Sequence, residues 1–169
     1  MYYHRPHSLA QEMKKYGVDK SEMSSHNRKR KKALVAQGRS HGIIVYSGNQ
    51  PVGWCQYGLK DELPRIDRGR FYRKLGLEDV PRRLWRMSCF FVDRDYRGRG
   101  VARTALKAAL ESIKEQGGGV VEAYPVVSKA LSAEAQWIWF GTPSMFRRER
   151  FKPVSPLGTS YLLMRKTIS

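Results

Sequence analysis

Cysteine is scarce in this chain: Cys55 and Cys89 are the only two among 169 residues. Both lie in apolar, strand-like segments, so buried free thiols are expected, and neither a disulfide framework nor a metal site is. Long hydrophobic runs are missing too. No stretch approaches the ~20 apolar residues that a membrane-spanning helix requires, and Met1-Tyr-Tyr-His-Arg5 lacks the apolar centre of a signal peptide. No membrane contact is expected, and a cytoplasmic location is the default. Acidic residues are few: 15 Asp and Glu stand against 32 Lys and Arg, for a net charge of +17. Such a field steers polyanions and raises their on-rate. It suggests an anionic partner, nucleic acid among the candidates, although a basic surface kept for solubility gives the same count. Internal repeats and low-complexity linkers are absent, and a chain of this length is expected to form a single domain, residues 1–169.

The most informative stretch runs from Ser88 to Gly117. Cys89–Val92 is apolar and β-prone and stops at Asp93. From Val101 onward, Ala102, Ala105, Leu106, Ala109, Leu110 and Ile113 repeat at the spacing of one helical face, and Gly117 is placed to end the helix. Between strand and helix lies Arg97-Gly-Arg-Gly-Val-Ala102. Gly98 and Gly100 carry no Cβ to hold a ligand off the backbone. The free N–H groups and dipole of the helix's first turn favour an anion, and Arg97, Arg99 and Arg103 add formal charge. A pyrophosphate suits this turn, while the bland alternative is a charged connection. The G-x-x-x-x-G-K-[ST] loop is missing, and G-x-G-x-x-G fails because its sixth position is Arg103.

What fits is [Arg/Gln]-x-x-Gly-x-[Gly/Ala], as Arg97, Gly100 and Ala102, followed by a further strand, Val120–Pro125. Here the chain resembles the GNAT superfamily of acetyl-coenzyme-A-dependent N-acetyltransferases, and is most similar to bacterial members with a Phe-Phe-Val strand and a Glu-Ala-Tyr-Pro strand. The resemblance implies an α/β (α+β) fold with a mixed, mostly antiparallel sheet, splayed between its fourth and fifth strands and flanked by helices. It implies acetyl-CoA as cofactor, with the pyrophosphate held by residues 97–103: Arg97, Gly98, Arg99, Gly100, Val101, Ala102 and Arg103. Phe91 and Val92 would run beside the pantetheine, where a main-chain N–H polarises the thioester carbonyl.

The rest of the chain supplies candidate elements. Ser8-Leu-Ala-Gln11 is a capping-box pattern, with Gly17 as the stop. Asn27 is read as the cap of a second helix, led by the basic run Arg28–Lys32, read as a solvated face rather than a localisation or nucleic-acid patch. Gly42–Tyr46 and Val52–Tyr57 form a hairpin through Ser47-Gly-Asn-Gln50. Met1–Pro6 reads as an edge strand or arm. Lys60–Arg83 is irregular, a candidate substrate lid or a plain connection, with a helical piece near Phe71, Tyr72, Leu75 and Leu77. Ser128–Trp139 is a second insertion. A short helix follows Pro143, and a strand pair around Gly158 closes the chain.

Acetylation of an amine needs a deprotonated acceptor, a polarised carbonyl and a protonated leaving thiolate. Ser88 stands where many family members carry a Glu, so Glu122 is the carboxylate available as base, or else half of a structural ion pair. The family's usual acidic Tyr falls at Phe146, leaving Ser144, Tyr124 or water as acid, and Arg150 replaces the glycine of the family's closing Gly-Phe, Phe151 being kept. Trp54 and Tyr124 are candidate cleft residues, with core packing the alternative for Trp54. The expected function is acetyl transfer to a primary amine by direct attack in a ternary complex. The rival is a catalytically weak scaffold that binds nucleic acid or the ribosome through its basic surface. A homodimer is compatible with the aromatic ends.

Overall fold

The computed structural model describes residues 8–76, 81–127 and 139–169. The expected N-terminal arm, Leu77 and most of the second insertion lie outside the described residues. Helix α1 (Leu9–Tyr16) starts at a reciprocal cap, in which the Ser8 hydroxyl accepts from the Gln11 N–H and the Ser8 N–H donates to the Gln11 side chain. It ends at Gly17 in the left-handed conformation. Helix α2 (Met23–Ala36) begins four residues before Asn27, which therefore caps nothing. The start is set upstream, where the Asp19 carboxylate accepts from the Ser21 and Glu22 N–H groups and folds the chain into the first turn. The basic run is only partly solvated. Arg28, Lys29 and Lys32 are exposed, whereas Arg30 pairs with the buried Glu12 and Lys31 donates to Ser40.

Strands β1 (His41–Ser47) and β2 (Gln50–Leu59) form the expected hairpin. The insertion that follows holds a short helix α3 (Arg70–Arg73) between irregular turns. Then come β3 (Leu84–Val92), α4 (Val101–Glu115), β4 (Gly119–Ala123), α5 (Pro143–Arg148), β5 (Lys152–Leu157) and β6 (Tyr161–Ile168). The six strands make one sheet in the order β1-β2-β3-β4-β6-β5, antiparallel except where β4 lies parallel to β3.

The apolar stripe of α4 dictates the core. Ala105, Leu106, Ala109, Leu110 and Ile113 are buried against Cys55, Tyr57, Trp85, Met87, Val121 and Met164 on one sheet face. Each large member contributes about 1.5–3 kcal/mol on transfer from water. Phe90, Phe146 and Phe151 stack edge-on at the end of this layer, with centroids 6.0 and 5.1 Å apart. Phe146, which the resemblance sets at the place of an acidic Tyr, is a fully buried ring of this stack. On the opposite face, Tyr124, Leu157 and Leu163 meet Ile66, Tyr72 and Leu75 of the insertion. The alternation along β4 is as expected: Val121 and Ala123 face α4, Tyr124 faces away.

Arg150, just past α5, has a φ of +64°. It occupies the left-handed position that glycine takes at helix ends, at a cost to an L-residue of roughly 1–2 kcal/mol. Arg150→Gly is expected to raise the melting temperature by about 2–4 °C, read by thermal denaturation; a lowered value would assign Arg150 a stabilising contact.

Candidate functional site

The sheet opens in its middle. Strands β3 and β4 pair over Leu84–Arg86 and Val120–Glu122 only, after which they part. The cause is visible on the other side of β3. Gln56 pairs with Cys89 while Tyr57 pairs with Met87, so Ser88 is an extra, unpaired residue. This bulge bends β3 away from β4 where the gap begins. Ser88 itself is fully buried, its hydroxyl 3.4 Å from the Gln56 carbonyl. Asp93 N–H donates to Val52 on the β2 side, whereas Phe90 N–H donates across the gap to the Trp139 carbonyl at 2.6 Å. Strand alternation therefore points the Val92 amide into the gap with that of Phe90, and the Phe91 amide toward β2. Phe90, not singled out in the sequence, has its own N–H taken by Trp139, which leaves the Val92 amide as the donor facing the gap.

The basic turn lies at the exit of β3. Gly98 and Gly100 have φ of +74° and +83°, and the positions their Cβ atoms would take open onto empty space. Gly100 precedes the first turn of α4, whose Val101, Ala102 and Arg103 N–H groups have no partner among the described residues. Arg97 donates through Nε to the Val92 carbonyl at 3.3 Å, Arg99 stacks on Tyr96, and Arg103 pairs with Glu149 at 2.7 Å. The turn thus carries a row of unpartnered amides, two exposed guanidinium groups and a bare glycine backbone. Gly53 on β2 brings α4 this close: a Cβ there would lie 2.5 Å from Val101 Cγ1 and 3.1 Å from the Phe91 carbonyl.

Glu122 lies deep on the face away from α4, fully buried. Its Oε1 accepts two hydrogen bonds from Arg165, at 3.0 and 2.7 Å, and its Oε2 accepts from the Tyr72 and Tyr124 hydroxyls at 2.9 and 2.7 Å. Arg86 Nε lies 3.7 Å from Oε2. The Arg86 guanidinium, also fully buried, donates to both Asp67 oxygens, to Tyr72 Oη and to the Leu63 carbonyl. Burial disfavours its charge, but the Asp67 hydrogen bonds and the neighbouring groups outweigh that and hold it charged. Burial, reinforced by the Glu122 charge, pushes the Tyr72 hydroxyl up to about 12, and burial lifts Tyr124 well above the usual tyrosine range.

Tyr124 and Trp54 do not share a cleft. Tyr124 lines a cavity of about 550 Å³ walled by the insertion, Phe140, Leu157 and Tyr161. Trp54, partly buried, lines a second hollow with Phe91, Ile44 and residues of α2. The 60–76 insertion is a wall of the first cavity rather than a plain connection. Ser144 is exposed, 3.0 Å from the Thr142 hydroxyl at the start of α5, and lines neither cavity. Both cysteines are free, and burial pushes their thiols up, to about 11 for Cys89 and about 12 for Cys55. No helix among the described residues is long and apolar enough to cross a membrane.

This arrangement has counterparts. The ribosomal-protein-alanine N-acetyltransferase of Brucella melitensis superposes with a TM-score of 0.55 at 18% identity, over 85% of this chain and 78% of that one. The ribosomal-protein-S18-alanine N-acetyltransferase of Escherichia coli gives 0.51 at 12% identity, over 82% and 76%. At such identities the likeness shows a shared fold. No curated protein matches the chain in sequence. The sequence profile of the Acetyltransferase (GNAT) family, however, matches residues 7–134, most of the 169, and the chain accordingly belongs to that family of acetyltransferases.

Proposed function

We propose that this protein transfers an acetyl group from acetyl-CoA to a primary amine by direct attack in a ternary complex. One observation carries the cofactor assignment: the unpartnered amides of Val101, Ala102 and Arg103 and the open glycine turn meet at the exit of a strand whose Val92 N–H faces the gap. A pyrophosphate fits there, with Gly98 and Gly100 leaving the backbone bare and Arg97, Arg99 and Arg103 adding charge. Phe91 side-chain contacts and the Val92 amide would border the acyl arm. When bound, acetyl-CoA supplies an activated acyl group. Residues 97–103 would hold its pyrophosphate and the Val92 amide would polarise its carbonyl, so that the amine N–C bond would form as the C–S bond broke, with the amine proton passing to solvent and the thiolate protonated by water.

Glu122 is assigned to positioning rather than to base catalysis. A carboxylate offers about four acceptor sites, and four donors already occupy them. Tyr124 and Ser144 are equally poor acids: the first points at Glu122, and the second lies outside the cavity. Deprotonation of the acceptor falls to solvent, aided by arginines at the cavity rim, because nearby positive charge disfavours an ammonium. The raised thiols argue against an acyl-cysteine route, since a thiolate is the nucleophile.

Calorimetric titration with acetyl-CoA tests this reading: saturable one-to-one binding is expected, together with thiol release in the presence of an amine. Failure to bind would remove the assignment. Gly53→Ala should lower stability by about 1–3 kcal/mol by forcing Val101 outward and weaken coenzyme A binding with it. Unchanged affinity in a folded variant would show that α4 does not need its close seat on β2.

A second reading, nucleic-acid binding by the basic surface, is favoured by the groove that Arg150, Lys152, Arg165 and Lys166 share with Val120 and Thr167. Salt-sensitive binding to random duplex DNA at physiological ionic strength would promote it.

A further inference from the structure

The cavity beside Tyr124 has a composition that selects among amines. Four rings, those of Tyr72, Tyr124, Phe140 and Tyr161, follow one another edge-to-face at 6.1, 6.3 and 5.6 Å. They form one side of the space, and Ile66 and Leu157 add apolar surface. The rim carries Arg65, Arg68 and Arg70, of which Arg68 and Arg70 are exposed. No Asp or Glu is among the described lining residues. Two carboxylates stand close to this wall: Glu122 is taken up by Arg165 and the two tyrosines, and Asp67, between Ile66 and Arg68, by Arg86. A polycation entering here finds no carboxylate among the described lining residues and meets like charge at the rim. A ligand with an apolar body and a negative group meets complementary surfaces at both ends.

Resting on the acetyltransferase reading, we propose that the acceptor is a small amine carrying a carboxylate on an aromatic or branched apolar body, the chemistry of an apolar amino acid. The body lies along the Tyr72–Tyr161 wall and the carboxylate faces Arg68 and Arg70. A volume of about 550 Å³ accommodates a molecule of this size. The amine is left to point toward the gap between β3 and β4, because Tyr124 directly follows β4 and Phe140 directly follows Trp139, whose carbonyl reaches Phe90.

The test uses product-like probes, which remove the acceptor's own ionisation from the comparison. With the full chain saturated by coenzyme A, calorimetry compares N-acetyl-L-phenylalanine with N-acetyl-L-phenylalaninamide. The acid is expected to bind at least about tenfold more tightly, about 1.4 kcal/mol, through its charge-assisted contact with the guanidinium groups. Arg68→Glu with Arg70→Glu should erase that preference while leaving coenzyme A affinity unchanged. Thiol release should be faster with L-phenylalanine than with spermidine. Equal or tighter binding of the amide, preference for spermidine, or no binding of either probe by a protein that binds coenzyme A would overturn the proposal. Loss of coenzyme A binding itself would instead strike the acetyltransferase reading.

Discussion

Glu122→Gln is expected to lower the melting temperature by roughly 6–12 °C while leaving the shape of the pH–rate profile intact. The substitution removes a fully buried charge faced by the fully buried Arg86 and by Arg165, whose side chain is 22% exposed. Deleting one partner of a buried pair costs about 3–5 kcal/mol, and because Arg86 keeps its Asp67 pair the lower figure, about 3 kcal/mol, applies. For a chain of this size each kcal/mol is worth about 2–4 °C. An amide also places a donor where Tyr72 and Tyr124 need acceptors, so one or both hydroxyls lose their partner. Below its melting transition the variant should still show a rate that rises with pH as the acceptor amine loses its proton. A variant of unaltered stability whose rate falls by about a hundredfold and loses its pH dependence would make Glu122 the general base after all.

The second large effect is expected at the turn. Arg97→Glu combined with Gly100→Glu should weaken coenzyme A about a thousandfold, to the point where calorimetry detects no heat of binding. Arg97 is exposed beside the free amides of α4, so its replacement removes one charge-assisted contact and installs repulsion. A second carboxylate at position 100 faces the same phosphates. Losing about 4 kcal/mol across the two changes corresponds to that factor. Gly100 has a φ of +83°, so Glu there adds backbone strain of about 1–2 kcal/mol, but its Cβ meets open space and no collision follows. Arg97→Ala alone separates charge from strain and should cost about tenfold. Undiminished affinity in the double variant would move the phosphate site elsewhere.

Much of the fold was legible because its signals are local. The Ser8–Gln11 box, the Gly48-Asn49 hairpin turn, the stripe of α4 and the break at Gly117 are each decided within a few residues. The start of α2 was misread because Asn27 is a good cap in isolation, while an Asp19 turn earlier in the chain had already begun the helix. The bulge at Ser88 has no sequence mark: no glycine stands there, and its register shows only against β2. The cluster around Glu122 was out of reach for a different reason. Tyr72, Asp67, Arg86 and Arg165 come from four separate elements, and Glu122 lies 43 residues from Arg165 and 50 from Tyr72. A carboxylate in mid-strand announces that some partner exists, not which. Trp54 is a cleft candidate through the family resemblance alone, and a resemblance gives a strand without giving which hollow the side chain enters.

The Arg86–Glu122 cluster has a bearing on which molecules can react. Arg86 belongs to β3 and Glu122 to β4, and both grip Tyr72 of the insertion. The far wall of the cavity beside Tyr124 is thereby tied to the two strands at their fork, where the proposed thioester would lie. Such a frame works as a ruler: the span from the arginine rim to the fork is the same for every guest, and the wall cannot swing out to admit a longer one. Reactivity across a homologous series of amines should then drop in a step at one chain length instead of tapering.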